Sequence, residues 1–207
     1  MLLLVCLAFL TTIVSSIVLW FGVVRVSRLS TVYLAAAALP LAAFYVAVCI
    51  WKPPVLLLAD ALILAVAVFA GSILGRLFRS PASLVAFAAG AGVADFVSFN
   101  SGVTRATINA SHSGASRLFE YLSLTIPLPP GSATPIVGIG DLLILAAFMT
   151  SLHQLGYGRA ALIVPASGLV AALAIGFVAG GIGAVPVMAA ILIVYLLWTQ
   201  RARLKGT

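Results

Sequence analysis

Seven long apolar runs, separated by short polar breaks, constrain this chain more than any other feature of its sequence. Most of these runs reach the ~18–20 residues that a helix needs to cross a bilayer. Within lipid a backbone must satisfy its own hydrogen bonds, and a helix does so within one segment. The sequence therefore predicts an all-α polytopic membrane protein with about seven transmembrane helices. The predicted spans are 2–24, 31–51, 55–76, 82–99, 136–153, 160–179 and 184–199.

Charged residues are scarce, and their placement is typical of a membrane protein. Only 7% of the residues are charged and the mean hydropathy is +1.28, whereas about a quarter of a soluble domain is charged. The 11 Lys and Arg residues mostly flank the apolar runs, which indicates contact with the lipid bilayer and not with nucleic acid. His112 and His153 have no neighbours at metal-ligand spacing, so we expect neither a metal nor a cofactor.

The distribution of basic residues predicts an orientation. Seven spans place eight Lys and Arg residues on one side of the membrane and three on the other. The positive-inside bias then puts the C-terminus in the cytoplasm, and the N-terminus and the long connection 100–134 outside. The eight are Arg25, Arg28, Arg76, Arg79, Arg159, Arg201, Arg203 and Lys205.

Three of the four acidic residues lie inside apolar runs. A carboxylate within a span costs at least a few kcal/mol and is a functional candidate by default. The fourth, Glu120, belongs to the connection and needs no such explanation. Asp60 has no partner at matched spacing, and we assign it to the membrane side opposite the other two. There we interpret it as a packing or capping acid.

The other two acids, Asp95 and Asp141, are predicted to lie at one depth. Asp95 comes about five residues before the fourth span ends, and Asp141 about five residues after the fifth begins, which places both about 7–9 Å from the same face. Consecutive spans are antiparallel and commonly neighbours. The two carboxylates are therefore expected to face each other.

Small residues beside the acids indicate close helix packing. Ala88 and Gly92 share a helical face with Asp95 and Phe99, and we expect them to leave room for the fifth span. Small residues also recur at every fourth position of the sixth span, a spacing that brings membrane helices together. The small residues beside Asp141 are Gly138 and Gly140, and those of the sixth span are Gly168, Ala172, Gly176 and Gly180.

Two facing carboxylates in a low-dielectric site cannot both ionise, so the pair holds one proton over a wide pH range. That state suits peptide hydrolysis, because the ionised member can activate a water while the protonated member polarises the scissile carbonyl. The polar stretch 98–102 is the expected route for the water. Two alternatives stay open: the acids fix helix packing in a non-catalytic scaffold, or they couple protons or cations to transport.

Three short motifs resemble the presenilin and signal peptide peptidase family of intramembrane aspartyl proteases. Residues 138–141, Gly-Ile-Gly-Asp, match its GxGD motif, and residues 95–99, Asp-Phe-Val-Ser-Phe, are similar to the aspartate-and-aromatics motif of its other catalytic helix. Residues 186–188, Pro-Val-Met, resemble its Pro-Ala-Leu element at the start of the last helix. The three motifs occur in the family's order, but Ala94 replaces the usual tyrosine, and seven spans are fewer than the family's nine.

The resemblance implies an intramembrane-cleaving aspartic endopeptidase with a presenilin-like catalytic bundle, in which Asp95 and Asp141 are the catalytic pair. Residues 1–81 would supply N-terminal transmembrane helices, and 82–207 the catalytic core with its long loop at 100–134. The implied supporting residues beside the acids are Gly138, Gly140, Phe96 and Phe99, and the implied substrate contacts are Pro186, Val187 and Met188.

The resemblance also implies that the partners of this protein are transmembrane-helix proteins or peptides, which would serve as substrates. A cytoplasmic C-terminus is similar to the polarity of signal peptide peptidase and opposite to that of presenilin. We therefore expect substrates with cytoplasmic N-termini, such as signal-peptide remnants or type II membrane anchors.

Overall fold

The computed structural model of the protein describes residues 2–51, 56–102, 121–128, 132–179 and 183–205. In these ranges the chain forms seven helices and one two-stranded antiparallel sheet. The elements are α1 (Leu2–Val26), α2 (Thr31–Trp51), α3 (Leu56–Gly75), α4 (Pro81–Ser101), β1 (Ser123–Leu128), β2 (Ser132–Gly138), α5 (Ile139–Gln154), α6 (Ala160–Ala179) and α7 (Ala184–Lys205).

The prediction of an all-α polytopic membrane protein is confirmed. Six of the described helices, all except α5, are long and apolar enough to cross a bilayer. Large apolar side chains such as Trp51 (86% exposed) and Val178 (90% exposed) point away from the protein. In water these surfaces would be unfavourable, whereas lipid solvates them. The chain is therefore an integral membrane protein.

Helix α5 is shorter than its predicted span, and a β hairpin precedes it. The helix begins at Ile139 and has 16 residues, so it extends about 24 Å and falls short of the ~30 Å hydrocarbon core. Strand β2 leads directly into it. The expected start of this span at residue 136 is therefore wrong, and the connection 100–134 contains β1 and the beginning of β2. Residues 103–120 and 129–131 of that connection lie outside the described residues.

The strands pair with one irregularity. Ser123 lies opposite Gly138 and Leu124 opposite Val137, but Thr125 lies opposite Pro135. One residue of β2 is therefore left over at this step, as in a β-bulge, which bends a strand and redirects its side chains.

Helices α3 and α5 approach each other most closely through two glycines of α3. A Cβ on Gly75 would lie 2.5 Å from the carbonyl oxygen of Ala147, and Gly71 is similarly close to α5. The hydroxyl of Ser151 donates a 2.8 Å hydrogen bond to the Gly75 carbonyl. Small residues four positions apart permit this packing in membranes. A helix of the N-terminal part of the chain, residues 1–81, thus supports the helix that carries Asp141.

The small face of α4 packs against α7 and not, as expected, against the fifth span. A Cβ on Gly92 would lie 3.4 Å from the Cβ of Ala189, which belongs to α7. Helix α4 reaches α5 through an edge-to-face contact between Phe87 and Phe148, whose ring centroids are 6.0 Å apart. The long connection between α4 and α5 lets the two helices separate, and α4 instead packs where its backbone can come closest to another helix.

The small residues of α6 have different surroundings. Gly168 is in close contact with α7, since a Cβ there would lie 2.7 Å from the Cα of Met188. Ala172 is buried, but nothing in the described chain lies within 4 Å of a Cβ on Gly176. Gly180 lies outside the described residues.

Candidate active site

Asp95 and Asp141 line one cavity of about 180 Å³. Its wall is formed by the end of α4, both strands, the start of α5, part of α6 and the residues where α7 begins. The structure therefore brings the two acids together, although α4 and α5 are not packed along their length. The cavity is what joins them.

The two acids lie at matched depth within their helices. Asp95 is fourteen residues beyond Pro81, the first residue of α4, and Asp141 is thirteen residues before Gln154, the last residue of α5. At 1.5 Å per residue these separations are about 21 Å and 20 Å. Since the two helices are consecutive and antiparallel, these two ends lie on the same side, and the two acids lie at similar distances from it.

The carboxylate of Asp95 lies at the N-terminus of α7. It accepts a hydrogen bond from the backbone N–H of Val185, one of the first residues of that helix. Its Oδ2 atom points at Gly183, and a Cβ at that position would collide with Oδ2 and lie 3.1 Å from the Asp95 Cγ. Only glycine leaves space for the carboxylate in this position. Gly183 is a site residue that the motifs did not reveal.

The carboxylate of Asp141 lies at the N-terminus of its own helix. It is the third residue of α5, and its Oδ2 accepts a 3.3 Å hydrogen bond from the N–H of Gly138. The first N–H groups of a helix lack partners and carry partial positive charge. Two helix N-termini therefore converge on the cavity and favour negative charge inside it.

Two buried polar atoms of the cavity wall have no hydrogen-bond partner among the described residues. They are Oδ2 of Asp95 and the hydroxyl of Ser123, which is 1% exposed. Buried polar atoms are nearly always paired with protein or with ordered water. A cavity of about 180 Å³ is several times the ~30 Å³ that one water occupies in the liquid. The cavity thus has the room and the polar groups to hold water next to Asp95.

The polar stretch 98–102 does not supply the lining that the sequence suggested. Of these residues only Phe99 lines the described cavity. The side chains of Asn100 and Ser101 donate to carbonyl groups of their own helix. Ser123 of β1 is the polar wall residue instead, and nothing in its local sequence distinguishes it from other serines of the connection.

The four residues predicted to support the acids differ in whether they line the cavity. Gly138 and Phe99 line the cavity. Phe96 is 57% exposed and lies on the outer surface of α4, away from the acids. Nothing in the described chain lies within 4 Å of a Cβ on Gly140. At Gly138 the described neighbour of a Cβ is Oδ2 of Asp141, 3.3 Å away, so the close backbone approach expected at the two glycines is observed at neither of them in the described chain.

The three residues matched to the Pro-Ala-Leu element do not line the described cavity. Met188 is fully buried against Gly168 of α6, and Pro186 lies against Gly92 of α4. Val187 is also absent from the wall, to which this end of the chain contributes Gly183 and Ala184. Pro186 and Met188 face neighbouring helices, and the contact between a substrate and residues 186–188 stays a prediction.

A second pocket of about 260 Å³ adjoins the first, and both are lined by Phe99, Pro135, Ile136 and Leu173. It extends to α1 at Leu4 and Ala8. Thr134 is the one hydroxyl-bearing residue of its described wall. The second pocket therefore lies between the catalytic cavity and α1, and its described wall is largely apolar.

The assignment of Asp60 to the opposite side of the membrane is wrong. Its carboxylate accepts hydrogen bonds from the N–H and the hydroxyl of Thr125, each 3.2 Å long. Thr125 belongs to β1, which leads toward the cavity. The start of α3 and the end of α4 lie on the same side because the helices alternate in direction, and the acid of α3 is thus close to the hairpin.

No protein-family model matches the chain, and neither a curated protein nor a solved structure matches it. The chemistry of the site has to be inferred from its geometry.

Proposed function

We propose that the protein is an intramembrane aspartic endopeptidase that hydrolyses peptide bonds within transmembrane segments, with Asp95 and Asp141 as its catalytic pair. One observation carries this proposal: two carboxylates at matched depth line a single cavity that can hold water. Intramembrane acids that serve only in packing have no need of such a cavity.

The pair supplies both halves of general acid–base catalysis. The ionised carboxylate takes a proton from a water molecule, and the resulting hydroxide oxygen bonds to the carbonyl carbon of the substrate. The protonated carboxyl donates to the carbonyl oxygen and stabilises the tetrahedral intermediate. A proton then passes to the nitrogen as the C–N bond breaks, giving a carboxyl and an amine product. The pair again holds one proton at the end of the cycle.

The convergence of helix N-termini fits this chemistry. Each acid accepts a backbone N–H, Asp95 from Val185 and Asp141 from Gly138. These hydrogen bonds orient the carboxylates and favour the single negative charge that the pair needs. The hydroxyl of Ser123 can hold the attacking water on the opposite wall.

The hairpin offers a way to bind an unwound substrate. A helical peptide bond is protected because its carbonyl is already hydrogen-bonded, so cleavage requires local unwinding. Strand β2 lines both pockets, and among the described residues it pairs with β1 alone, on one edge. An extended segment added at the other edge would satisfy its backbone groups by strand addition. In this proposal the hairpin replaces residues 186–188 as the substrate-binding element.

The distribution of basic residues supports a cytoplasmic C-terminus, because the described chain has the seven helices on which that count depends. We therefore propose substrates whose N-termini are cytoplasmic, such as signal-peptide remnants or type II anchors.

One structural observation favours a competing function. Both acids occupy helix-capping positions, and caps alone stabilise a protein by about 1 kcal/mol each. A scaffold with capping acids would lose stability when either acid is replaced but would have no peptidase activity to lose. A transporter would retain uptake or ion-coupled flux without proteolysis.

The test is cleavage of a model transmembrane peptide by the purified protein in liposomes, with Asp95→Asn and Asp141→Asn as variants. We expect each variant to lose about 10³-fold or more in kcat/KM, since removal of a general acid or base costs about 10²–10⁴-fold. Glu120→Gln, the acid outside the apolar runs, is the control. Wild-type protein that cuts no peptide, or variants that fold and cut normally, would refute the proposal.

A further inference from the structure

Asp60 is the one intramembrane acid that the proposed chemistry does not use. We infer that it is a positioning residue: it fixes strand β1 to α3 and thereby holds the hairpin at the catalytic cavity. The inference rests on the proposed function and assigns a role in it to a helix that does not line the cavity.

The contact between Asp60 and the strand uses both carboxylate oxygens. The N–H of Thr125 donates to Oδ1 and its hydroxyl to Oδ2, each at 3.2 Å. Thr125 is 6% exposed, so little solvent competes for either donor. An aspartate accepts on two oxygens, whereas an asparagine has only one acceptor oxygen. The residue type therefore fits a site that presents two donors.

The anchor lies at the irregular step of the hairpin. The strand register shifts between Leu124 and Thr125, and there the N–H of Thr125 is bound by the carboxylate from α3. A second contact holds the chain just before β1, because the hydroxyl of Tyr45 in α2 donates to the carbonyl of Tyr121. Helices α2 and α3 thus hold this segment at two points four residues apart.

The hairpin connects the anchor to the catalytic groups. Thr125 lies opposite Pro135, and Ser123 lies opposite Gly138. Ser123, Pro135 and Gly138 all line the cavity, and the N–H of Gly138 binds Asp141. A displacement of β1 would therefore move the hydroxyl of Ser123 in the cavity wall. It would also move the edge of β2 at which the substrate is proposed to pair. Asp60 acts on catalysis only through these residues.

The experiment combines hydrogen exchange with cleavage-site mapping on the full-length protein in detergent micelles. The variants are Asp60→Ala, Asp60→Asn, Thr125→Val, which removes only the hydroxyl, and Thr125→Ser, which keeps it. Ser72→Ala is the matched control, because Ser72 is a buried polar residue of α3 that accepts a hydrogen bond from Thr150 of α5 and lies about three turns along the helix from Asp60. The substrate is the model transmembrane peptide, and its products are identified by mass.

For Asp60→Ala we expect amide exchange in residues 121–128 and 132–138 to rise at least about tenfold, while exchange in α5–α7 stays unchanged. We also expect kcat to fall about 10- to 100-fold, the effect of a displacement approaching 1 Å, and cleavage to spread to neighbouring bonds. Asp60→Asn and Thr125→Val should show the same changes to a smaller degree, and Thr125→Ser should resemble wild type.

The inference is overturned if wild type cleaves the peptide and Asp60→Ala changes neither hairpin exchange nor the cleavage position. It is also overturned if every variant, Ser72→Ala included, loosens the whole chain equally, because Asp60 would then serve only general packing. Wild type that cuts no peptide would instead refute the proposed function, and hairpin exchange would still report whether Asp60 anchors β1. If Asp60→Ala does not fold, the comparison of Thr125→Val with Thr125→Ser decides between these outcomes.

Discussion

Replacing Gly183 with alanine should disable the site while leaving the fold intact. The new Cβ would collide with Oδ2 of Asp95 and lie 3.1 Å from its Cγ, whereas non-bonded carbon atoms prefer about 3.5–4.0 Å. The carboxylate must therefore move by about 0.5–1 Å. Because the colliding group is the end of a short, rotatable side chain, the helices need not separate.

A displacement of this size has a predictable kinetic cost. Misplacement of a catalytic group by about 1 Å can lower the rate about 10²-fold, which corresponds to roughly 2.7 kcal/mol of transition-state stabilisation. We expect kcat/KM of Gly183→Ala to fall by about this factor. The backbone of Gly183 is not in the left-handed region, so alanine adds little strain and Tm should change by no more than a few degrees.

The assay measures kcat/KM for the model peptide together with thermal unfolding in the same liposomes. Gly90→Ala is the matched control, because Gly90 lies in the same helix as Asp95 and nothing in the described chain comes within 4 Å of a Cβ there. That variant should retain wild-type activity. If Gly183→Ala also cleaved the peptide at the wild-type rate, the position of Asp95 against Gly183 would be irrelevant to catalysis and the reasoning would be refuted.

Two further predictions concern the scaffold and the orientation. Gly75→Ala should lower the free energy of unfolding by about 1–3 kcal/mol, the usual cost of overpacking, because the added Cβ would lie 2.5 Å from a backbone oxygen of α5. Chemical denaturation measures this loss, and a loss no larger than that of Gly90→Ala would contradict the prediction. When matched type I and type II model substrates are offered to oriented membranes, the protein should cut the type II form preferentially. A preference for the type I form would reverse the proposed orientation.

The helices and the acids were predictable because their signals are local. An apolar run of sufficient length predicts a span whatever its neighbours are. An aspartate within such a run is conspicuous because its desolvation is costly. Matched depth followed from counting residues along two consecutive spans. These inferences needed no knowledge of which helices touch.

The hairpin was missed because its strands lack a local strand pattern. Pro127 and Pro135 both interrupt the backbone donors that a strand normally offers, and the segment lies in a connection rich in Ser, Thr and Gly. Its pairing is supported by Asp60, a residue more than sixty positions away. Such a contact cannot be read from the strand's own sequence.

Which helices pack against each other could be predicted only in part from the sequence. Gly71 and Gly75 of α3 have the same four-residue spacing as the small residues of α6, and they lie where α3 closely approaches α5. By contrast, no pattern within α4 distinguishes α7 from α5 as its partner, because a small face fits any helix that presents a suitable surface. Gly183 was missed for a similar reason: its role appears only when Asp95 lies against it.

The most direct measurement of the central claim is the kcat/KM of Asp95→Asn, Asp141→Asn and the double variant for one transmembrane peptide. If the two acids share one proton and act as a unit, each single variant should fall nearly to the level of the double variant, because residues of a catalytic unit are strongly non-additive. Losses that multiply independently, or a single variant that stays close to wild type, would show that Asp95 and Asp141 do not form one catalytic pair.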